Sequence, residues 1–266
     1  MYKKLKKEDF IKALKLPEDY KVDGVFVVGT FPKNKEYIFL YEALKNLKIN
    51  YTEEKIDHPF FSEIKSLIIN NKRIWFDVVY GGTYLSELLH TASLFGSKAN
   101  ILLGTCGSLK ESLNTGDIII PEYSYGNESS VRMYQRNNSD YIYKSNDKLN
   151  LLIKSFLKNK ENIYDGKMMT VQAMLAETSE DIESWGKDGY SAVDMESSVM
   201  FAISNHFNVP STAVLSIADN LIKKVLTTDE DFKKLKIKRD SIKRENYEAI
   251  LSFFEQTDLN HLQLLD

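Results

Sequence analysis

The chain has 266 residues, of which 43% are hydrophobic and 27% are charged, and its formal net charge is -3 at pH 7. This length and apolar content suit one large α/β domain, or two small ones, with a sizeable core. The near balance of acidic and basic residues gives no general attraction to nucleic acid or to an anionic membrane surface, so neither partner is expected.

The first twenty residues predict a short helical extension and not a signal peptide. The chain starts with several lysines, but no uninterrupted apolar segment follows them. No segment approaches the roughly 18 apolar residues of a membrane span. The single cysteine, Cys106, excludes an internal disulfide framework and fits a reducing compartment. We therefore expect a cytoplasmic protein that does not enter a membrane.

The first half of the chain alternates between segments of helical and strand periodicity. In chain order, the predicted elements are a helix at 7–15, a strand at 24–29, a helix at 34–47, strands at 64–70 and 73–80, a helix at 81–94 and a strand at 100–104. The two strands joined at Asn70-Asn71 form a predicted hairpin, because asparagine favours such turns.

The second half continues the alternation. Its predicted elements are a strand at 116–121, a polar stretch at 124–140, a helix at 146–158, a strand around 167–174, a helix at 178–186, two strands that end in acidic residues with a helix at 198–207 between them, and a charged helix at 228–255. Alternating strands and helices predict a mostly parallel sheet covered on both faces. Because no repeat, linker or composition break divides the chain, we predict a single domain over residues 1–266.

The two strands that end in acidic residues carry the main functional signal. Ala192 to Glu196 and Leu215 to Asp219 are apolar runs that each finish at a carboxylate. A charge at the end of a buried strand is costly unless it has a partner or a function. Two consecutive strands would bring Glu196 and Asp219 to the same edge of the sheet, where open α/β sheets bind their ligands.

Three predicted strands end in glycine-bearing turns, at Gly29-Thr30, at Gly81-Gly82 and at Gly104 to Gly107. Glycine lets the backbone approach a ligand closely, and free N–H groups in such turns bind anions. None of the three matches the phosphate-binding loop that ends in Gly-Lys-Ser/Thr, or the dinucleotide-binding fingerprint. Taken singly, each predicts only a tight turn.

Four motifs occur in a fixed order along the chain. They are Leu103-Gly104-Thr105-Cys106-Gly107-Ser108-Leu109, Gly116-Asp117-Ile118-Ile119-Ile120-Pro121, Ala192-Val193-Asp194-Met195-Glu196-Ser197 and Ser216-Ile217-Ala218-Asp219. Together they resemble the nucleoside phosphorylase family, which includes purine nucleoside and uridine phosphorylases and related nucleosidases. The resemblance runs from about Gly24 to the C-terminal helix. It implies a three-layer α/β/α fold around a mixed, partly closed central sheet, and a homo-oligomer, either a dimer or a hexamer.

The resemblance implies a role for each terminal acid. Glu196 would accept hydrogen bonds from the ribose 2′- and 3′-hydroxyls, with Met195 packed under the sugar. Asp219 would be the catalytic acid that protonates N7 of a purine. Cleavage of an N-glycosidic bond builds positive charge on the sugar and negative charge on the base, so both roles are chemically reasonable. Asp219 needs a raised pKa to act as an acid, and burial could supply it.

The resemblance also implies contacts for phosphate and for the base. Inorganic phosphate would be a co-substrate, with no further cofactor, and its ligands would be Gly29, Lys33 and Thr105. The residues implied to contact the base are Cys106, Gly107 and Met174. Aliphatic side chains at Met174-Leu175 would replace the aromatic residue that usually stacks on the base.

The chain departs from the family pattern at the predicted phosphate site. Phosphorylases usually have an arginine where this chain has Leu102, and its absence weakens phosphate binding. Nucleosidases of the family have a glutamate in the first glycine loop to activate water. Here that loop offers Lys33, and Glu36 lies one turn later. Three further positions depart from the pattern: Thr30 replaces an aspartate, Ala218 a serine and Asp194 a glutamate.

A basic residue in the first glycine loop suits phosphate better than water. We therefore predict a purine nucleoside phosphorylase that forms free base and ribose 1-phosphate. Asp219 favours purines over uridine, because only a purine offers N7 to an acid. One alternative is a nucleosidase that hydrolyses a nucleoside such as methylthioadenosine, or AMP. Another is a nucleoside-binding homologue with little or no turnover.

The candidate residues also have ordinary structural explanations. Asp219 could cap a following helix, and Glu196 could be a first-turn acid favoured by the helix dipole. Met195 could belong to the core, Lys33 to the solvated surface, and Thr105 to a turn.

The remaining candidates carry weaker signals. Cys106 is expected to be a small buried hydrophobe, because no arrangement of other residues would make it a nucleophile. The histidines, at positions 58, 90, 206 and 261, do not have the spacing of metal ligands, so no metal site is predicted. His58 and its neighbours are a candidate contribution across a subunit interface.

Overall fold

The computed structural model describes residues 2–56, 61, 63–158, 160–226 and 228–263. Within those ranges ten strands form one sheet. In chain order they are β1 (Gly24–Gly29), β2 (Tyr51–Lys55), β3 (Lys65–Ile69), β4 (Lys72–Val79), β5 (Asn100–Ser108), β6 (Ile118–Tyr125), β7 (Ile142–Lys144), β8 (Ile163–Thr170), β9 (Ala192–Asp194) and β10 (Ser211–Asn220).

Helices cover the sheet and connect its strands. In chain order they are α1 (Lys7–Leu14), α2 (Lys33–Asn46), α3 (Gly82–Leu94), α4 (Ser129–Tyr134), α5 (Asp147–Phe156), α6 (Ser179–Lys187), α7 (Ser197–His206), α8 (Glu230–Lys234), α9 (Lys236–Gln256) and α10 (Asn260–Gln263). A short 3-10 turn at Met174–Ala176 lies between β8 and α6. Within the described ranges, no helix is long and apolar enough to cross a membrane.

The sheet is mixed and partly closed, as the fold prediction stated. Its strand order is β10-β6-β8-β9-β5-β1-β4-β3-β2, and β10 also pairs with β5. The strands β5, β10, β6, β8 and β9 therefore close into a ring, while β1, β4, β3 and β2 extend from β5 as an open sheet. The expectation of a mostly parallel sheet was wrong, because pairs such as β3–β4, β5–β9 and β6–β10 are antiparallel.

The core consists of two apolar layers, one on each face of the sheet. Alternate residues of β1 point to opposite faces, so Val25 and Val27 belong to one cluster, whereas Phe26 and Val28 belong to the other. Helices α3 and α7 contribute to the first layer, and α2, α5 and α9 to the second. Burial on both faces explains why β1 is an uninterrupted apolar run.

A buried ion pair joins α2 to α9. The carboxylate of Glu36 has no exposed surface; it accepts hydrogen bonds from Lys243 Nζ at 2.8 Å and from the Tyr247 hydroxyl at 2.9 Å. Lys35 and Asp240 form a second, more exposed ion pair between the same helices at 2.8 Å. Removal of one member of a buried pair leaves an uncompensated charge, so the Glu36 pair fixes the two helices together.

Most predicted elements are present, including the hairpin, which is β3–β4. Its turn residues Asn70 and Asn71 have φ values of 48° and 60°, a region that asparagine tolerates better than most residues. The strand predicted around 167–174 is β8, which ends at Thr170 before the 3-10 turn. The predicted polar stretch contains α4, and the C-terminal helix is divided into α8 and α9. Strand β2 was missed because all five of its residues are exposed, so it has no alternating pattern.

Candidate active site

The two terminal acids reach the site from opposite sides of β5. Strand β9 runs antiparallel to β5, with Val193 opposite Gly107, whereas β10 runs parallel to it, with Asp219 also opposite Gly107. A bulge between Ile217 and Asp219 shifts the register of β10 at this point. A simple βαβ unit would have made β9 and β10 neighbours in the sheet. They are not neighbours, because each pairs with β5. Their shared neighbour β5 still brings both acids to one end of the sheet.

Glu196 is buried, with 5% of its surface exposed, and a glycine turn holds its carboxylate. The Gly81 N–H donates a hydrogen bond to Oε1 at 2.7 Å. At Gly29, a Cβ atom would lie 2.7 Å from Oε2, so this position has no room for a side chain. Burial, and then the charge of Asp194, raise the pKa of Glu196 to about 8.

Asp194, and not Glu196, satisfies the N-terminus of α7. Glu196 occupies the N-cap position of α7, but its side chain makes no capping hydrogen bond. Instead, Asp194 accepts hydrogen bonds from the backbone N–H and the hydroxyl of Ser197 and from the hydroxyl of Thr170, each at 2.8 Å. Because Asp194 satisfies the helix N-terminus, the carboxylate of Glu196 can face a ligand.

Gln172 links two parts of the site and was not identified from the sequence. Its side-chain oxygen accepts a hydrogen bond from the Gly82 N–H at 2.9 Å, and its side-chain nitrogen donates to the Met195 carbonyl at 2.8 Å. These bonds fix the start of α3 against the backbone of Met195, which is half-buried. Glutamines in loops are common, so no sequence pattern pointed to this role.

Asp219 is a buried acid that accepts no hydrogen bond from another residue among those that the structure describes. It has 8% exposed surface, and within the described part of the chain its carboxylate accepts a hydrogen bond only from its own backbone N–H. Burial raises its pKa to about 6, although that backbone hydrogen bond and Arg239 lower it. Asp219 does not cap a helix, because it lies within β10. Asn220 closes the following turn by accepting from the Lys223 N–H at 2.9 Å.

Arg239 is a second functional candidate that the motifs did not reveal. It lies in the first turn of α9, with its guanidinium carbon 3.5 Å from the centroid of the Phe232 ring. Its charge acts on Asp219, and burial lowers its own pKa. Arginine is scarce in this chain, and that scarcity was the only signal that could have drawn attention to it.

The raised pKa of Asp219 predicts a pH-dependent gain in stability for Asp219→Asn. The folded carboxyl titrates near pH 6, above the ordinary value of 3.8, so the unfolded chain loses its proton first as the pH rises. Stability is therefore lost through this pH window, and asparagine removes the loss. We expect a gain of roughly 1–3 kcal/mol at about pH 8, measured by urea unfolding. At about pH 4 the gain should be small; an equal gain at both pH values would indicate packing and not ionisation.

Two of the predicted phosphate ligands lie on neighbouring strands, because Gly29 at the end of β1 pairs with Gly104 of β5, and Thr105 is the next residue. Thr105 is exposed at the end of β5, and Gly29 faces Glu196. Lys33 extends towards Asp77, with Nζ 3.7 Å from Oδ1. Leu102, at the position where the family usually has an arginine, is fully buried and offers no polar atom. A phosphate ion bound by Lys33 would therefore compete with Asp77 for the ammonium group of that lysine.

Asp77 is an unexpected buried carboxylate beside Lys33. It has no exposed surface and accepts hydrogen bonds from the Tyr84 hydroxyl at 2.8 Å and from the Val78 N–H at 2.7 Å. Burial raises its pKa, whereas the charge of Lys33 lowers it. Asp77 interrupts the apolar run from Ile74 to Val79, and this interruption is the sequence signal that could have revealed it. Glu36, the other acid near this loop, is held under α9 and does not face the glycine turn.

The predicted base-contacting residues lie around the end of β5 and beyond β8. Cys106 is 4% exposed, and burial, followed by the charges of Asp194 and Asp219, raises the pKa of its thiol. At Gly107, a Cβ atom would lie 3.2 Å from Asp219 Oδ1, so this glycine leaves room for the acid. Met174, in the 3-10 turn, is 42% exposed.

The histidines do not take part in the site as far as the structure describes them. The Nδ1 atom of His90 and the Tyr134 hydroxyl form a hydrogen bond of 2.8 Å, and the His90 ring packs against Phe207 with ring centroids 4.9 Å apart. His58 lies outside the described residues. In the described ranges, no group of three or more His, Cys, Asp and Glu side chains could hold a metal ion.

Residues 83–245 of the chain match the family described as the phosphorylase superfamily. A DeoD-type purine nucleoside phosphorylase from Thermoanaerobacter pseudethanolicus is 28% identical over 154 residues, which are 57% of this chain and 64% of that protein. The chain thus matches just under two thirds of the length of this curated relative.

Solved structures with the same fold cover more of the chain. The 5′-methylthioadenosine/S-adenosyl homocysteine nucleosidase of Campylobacter jejuni has a TM-score of 0.68 at 15% identity and covers 89% of this chain and 100% of its own. The uridine phosphorylase of Vibrio fischeri also has a TM-score of 0.68, at 17% identity, and covers 91% of this chain and 93% of its own. At such low identity these likenesses concern the fold alone.

Proposed function

Because the chain belongs to the phosphorylase superfamily, we propose that it cleaves the N-glycosidic bond of purine nucleosides with phosphate as the acceptor. The observation that supports this most directly is Asp219, a buried carboxyl with a raised pKa and no hydrogen bond from another described residue. Such a group is protonated to a larger extent near neutral pH than an ordinary aspartate, and it can donate that proton to a ligand.

In the proposed reaction, a phosphate oxygen attacks C1′ of the ribose as the bond from C1′ to N9 breaks. The bonding electron pair moves into the purine, and Asp219 donates its proton to N7. The products are free purine and ribose 1-phosphate, and Asp219 regains a proton from water. Glu196 binds the ribose diol and, when ionised, stabilises the positive charge that develops on the sugar. The Gly81 N–H and the close approach of Gly29 hold this carboxylate in place.

Phosphate is favoured as the acceptor because the first residue of α2 is a lysine, Lys33. Lys33 lies four residues after Gly29, and its side chain is 39% exposed despite its contact with Asp77. The burial of Glu36 supports the same choice, because a carboxylate that activates water would have to face the glycine turn. The Thermoanaerobacter relative is a purine nucleoside phosphorylase, in keeping with this proposal.

Hydrolysis is the second candidate, and Leu102 is the observation that favours it. A buried leucine cannot replace the bidentate contacts that an arginine makes to phosphate.

A cytoplasmic location and a homo-oligomeric state stay predictions. Size-exclusion chromatography with light scattering on the whole protein would measure the oligomeric state.

Product analysis tests the proposed acceptor. We expect the protein to release base from inosine or adenosine only when phosphate is present, and to form ribose 1-phosphate. Lys33→Met should raise KM for phosphate about tenfold or more, since hydrogen bonds to charged groups contribute roughly 1.5–3 kcal/mol. Lys45→Met, an exposed lysine on the same helix, is the control and should leave KM unchanged. Phosphate-independent release of free ribose would instead establish hydrolysis, and binding without turnover would contradict both reactions.

A further inference from the structure

The buried carboxylate of Asp77 contacts the helices that follow both of the glycine turns at Glu196. One oxygen, Oδ1, accepts a hydrogen bond from the Val78 N–H at 2.7 Å and lies 3.7 Å from Lys33 Nζ. The other, Oδ2, accepts a hydrogen bond from the Tyr84 hydroxyl at 2.8 Å. Lys33 is the first residue of α2, after the first glycine turn, and Tyr84 lies in the first turn of α3, after the second.

The position of Asp77 in β4 leaves its charge with little compensation. It lies two residues before Val79, which pairs with Gly29 at the end of β1. Trp75 and Val79, which share its face of the strand, belong to the apolar layer to which α3 and α7 contribute. Among the described residues, Lys33 is the cation whose charge acts on Asp77. The two side chains therefore depend on each other.

Binding of phosphate to Lys33 would change the environment of this carboxylate. An anion that takes the ammonium group leaves a buried negative charge without its cation and adds further negative charge nearby. Both changes favour the protonated form. Burial raises the pKa of Asp77, and Lys33 lowers it, so loss of the lysine contact would raise it further. The other titratable groups that interact with Asp77 supply no positive charge: they are Tyr37 of α2, Tyr84 of α3, and Glu63 before β3.

We propose that Asp77 is a positioning residue that controls the affinity for phosphate, because it holds the ammonium group of Lys33 until phosphate binds that group, and then takes up a proton from the solvent. This inference rests on the proposed function, in which Lys33 is a phosphate ligand. The ionised carboxylate opposes the anion, whereas the protonated one does not. The affinity for the anion should therefore fall as the pH rises, and Asp77→Asn, which cannot ionise, should remove the part of this fall that Asp77 causes.

Sulfate is the probe, because it has the shape and the charge of the phosphate dianion but does not titrate near neutral pH. Calorimetry on the whole protein measures its dissociation constant. At about pH 8, Asp77→Asn should bind sulfate about tenfold more tightly than the parent, or better, because a nearby charge shifts such an equilibrium by at least this factor. At about pH 5 the difference should be much smaller. Asp19→Asn, at an exposed aspartate, is the control and should leave the dissociation constant unchanged at both pH values.

Proton uptake by the parent protein provides a measurement that does not depend on the folding of a variant. Calorimetry of sulfate binding in two buffers with different ionisation enthalpies gives the number of protons taken up. The parent should take up protons at about pH 8, where a carboxyl with a moderately raised pKa is ionised before the anion binds. Asp77→Asn should take up fewer protons, and the difference between the two proteins is the share of Asp77. Binding of sulfate to the parent without proton uptake would overturn the role.

The results separate this inference from the proposed function. If Asp77→Asn binds sulfate no more tightly than the parent at about pH 8, or gains by the same factor at about pH 5, the role of Asp77 is overturned. The proposed function then stands as long as the parent forms ribose 1-phosphate. If the parent releases free ribose without phosphate, the proposed function fails, and the sulfate titration still decides the role of Asp77. A parent protein that shows no saturable binding of sulfate would overturn that role.

Discussion

Asp219→Ala is expected to lower kcat/KM for purine nucleosides by about 10²–10⁴-fold, the range that general acid catalysis typically contributes. The reason lies in the environment of the carboxyl. It is 8% exposed, and burial raises its pKa to about 6, so about a tenth of the carboxyl is protonated at pH 7, far more than for an ordinary aspartate. Without this proton the purine must leave as an anion. The measurement is the initial rate of base release at saturating phosphate.

A purine that is methylated at N7 provides the control for the Asp219 variant. In 7-methylguanosine the base already carries a positive charge and leaves without protonation. Asp219→Ala should therefore cleave this nucleoside with a much smaller loss than it shows for guanosine. Equal losses on both substrates would indicate that the variant damages binding or folding. An Asp219→Ala protein that keeps most of its activity on guanosine would remove this residue from the mechanism.

Glu196→Gln is expected to lower kcat/KM for ribonucleosides by about 10²-fold or more. Burial raises the pKa of Glu196 to about 8, but two hydroxyl donors of a bound diol would favour its ionised form. Hydrogen bonds to a charged group contribute roughly 1.5–3 kcal/mol each, and the proposed diol contact has two of them. Glutamine keeps the shape and can still accept the Gly81 N–H bond, so the buried surroundings should tolerate it. The loss should therefore arise from the missing charge and not from unfolding, and thermal unfolding of the variant checks this point.

The sugar hydroxyls provide the control for Glu196. A 2′,3′-dideoxynucleoside lacks both groups that Glu196 is proposed to bind. The parent protein should cleave it poorly, and Glu196→Gln should lose much less activity on it than on the ribonucleoside. If the parent cleaves the dideoxynucleoside as well as the ribonucleoside, Glu196 does not act through the diol.

The sequence was sufficient to predict the elements that are buried on both sides or clearly amphipathic. Strand β1 was predicted with its observed bounds, because Gly24 to Gly29 is an apolar run between polar segments. The closure of the sheet depends on contacts distant in sequence, such as the pairing of β10 with both β5 and β6. Local periodicity carries no information about such pairing, so the mixed, partly closed sheet was predicted only through the family resemblance.

The sequence was informative about the two terminal acids because each lies in a short motif. Glu196 and Asp219 stood out as charges at the ends of apolar strands, and both are buried at the end of β5. Gln172 and Arg239 were missed because each lies in a polar segment, where such residues are usually solvated. The contacts of Gln172 with Gly82 and Met195 and the effect of Arg239 on Asp219 join residues distant in sequence, which no local pattern records.

The buried ion pair between α2 and α9 has a consequence for how the two ends of the site move. Lys33 precedes Glu36 by about one helical turn, and Arg239 precedes Lys243 by about the same distance along α9. Lys33, a proposed phosphate ligand, and Arg239, whose charge acts on Asp219, thus lie on helices that a buried ion pair joins. A displacement of α9 that moves Arg239 towards Asp219 would also move the start of α2. The site would then close over the base and over the acceptor at the same time.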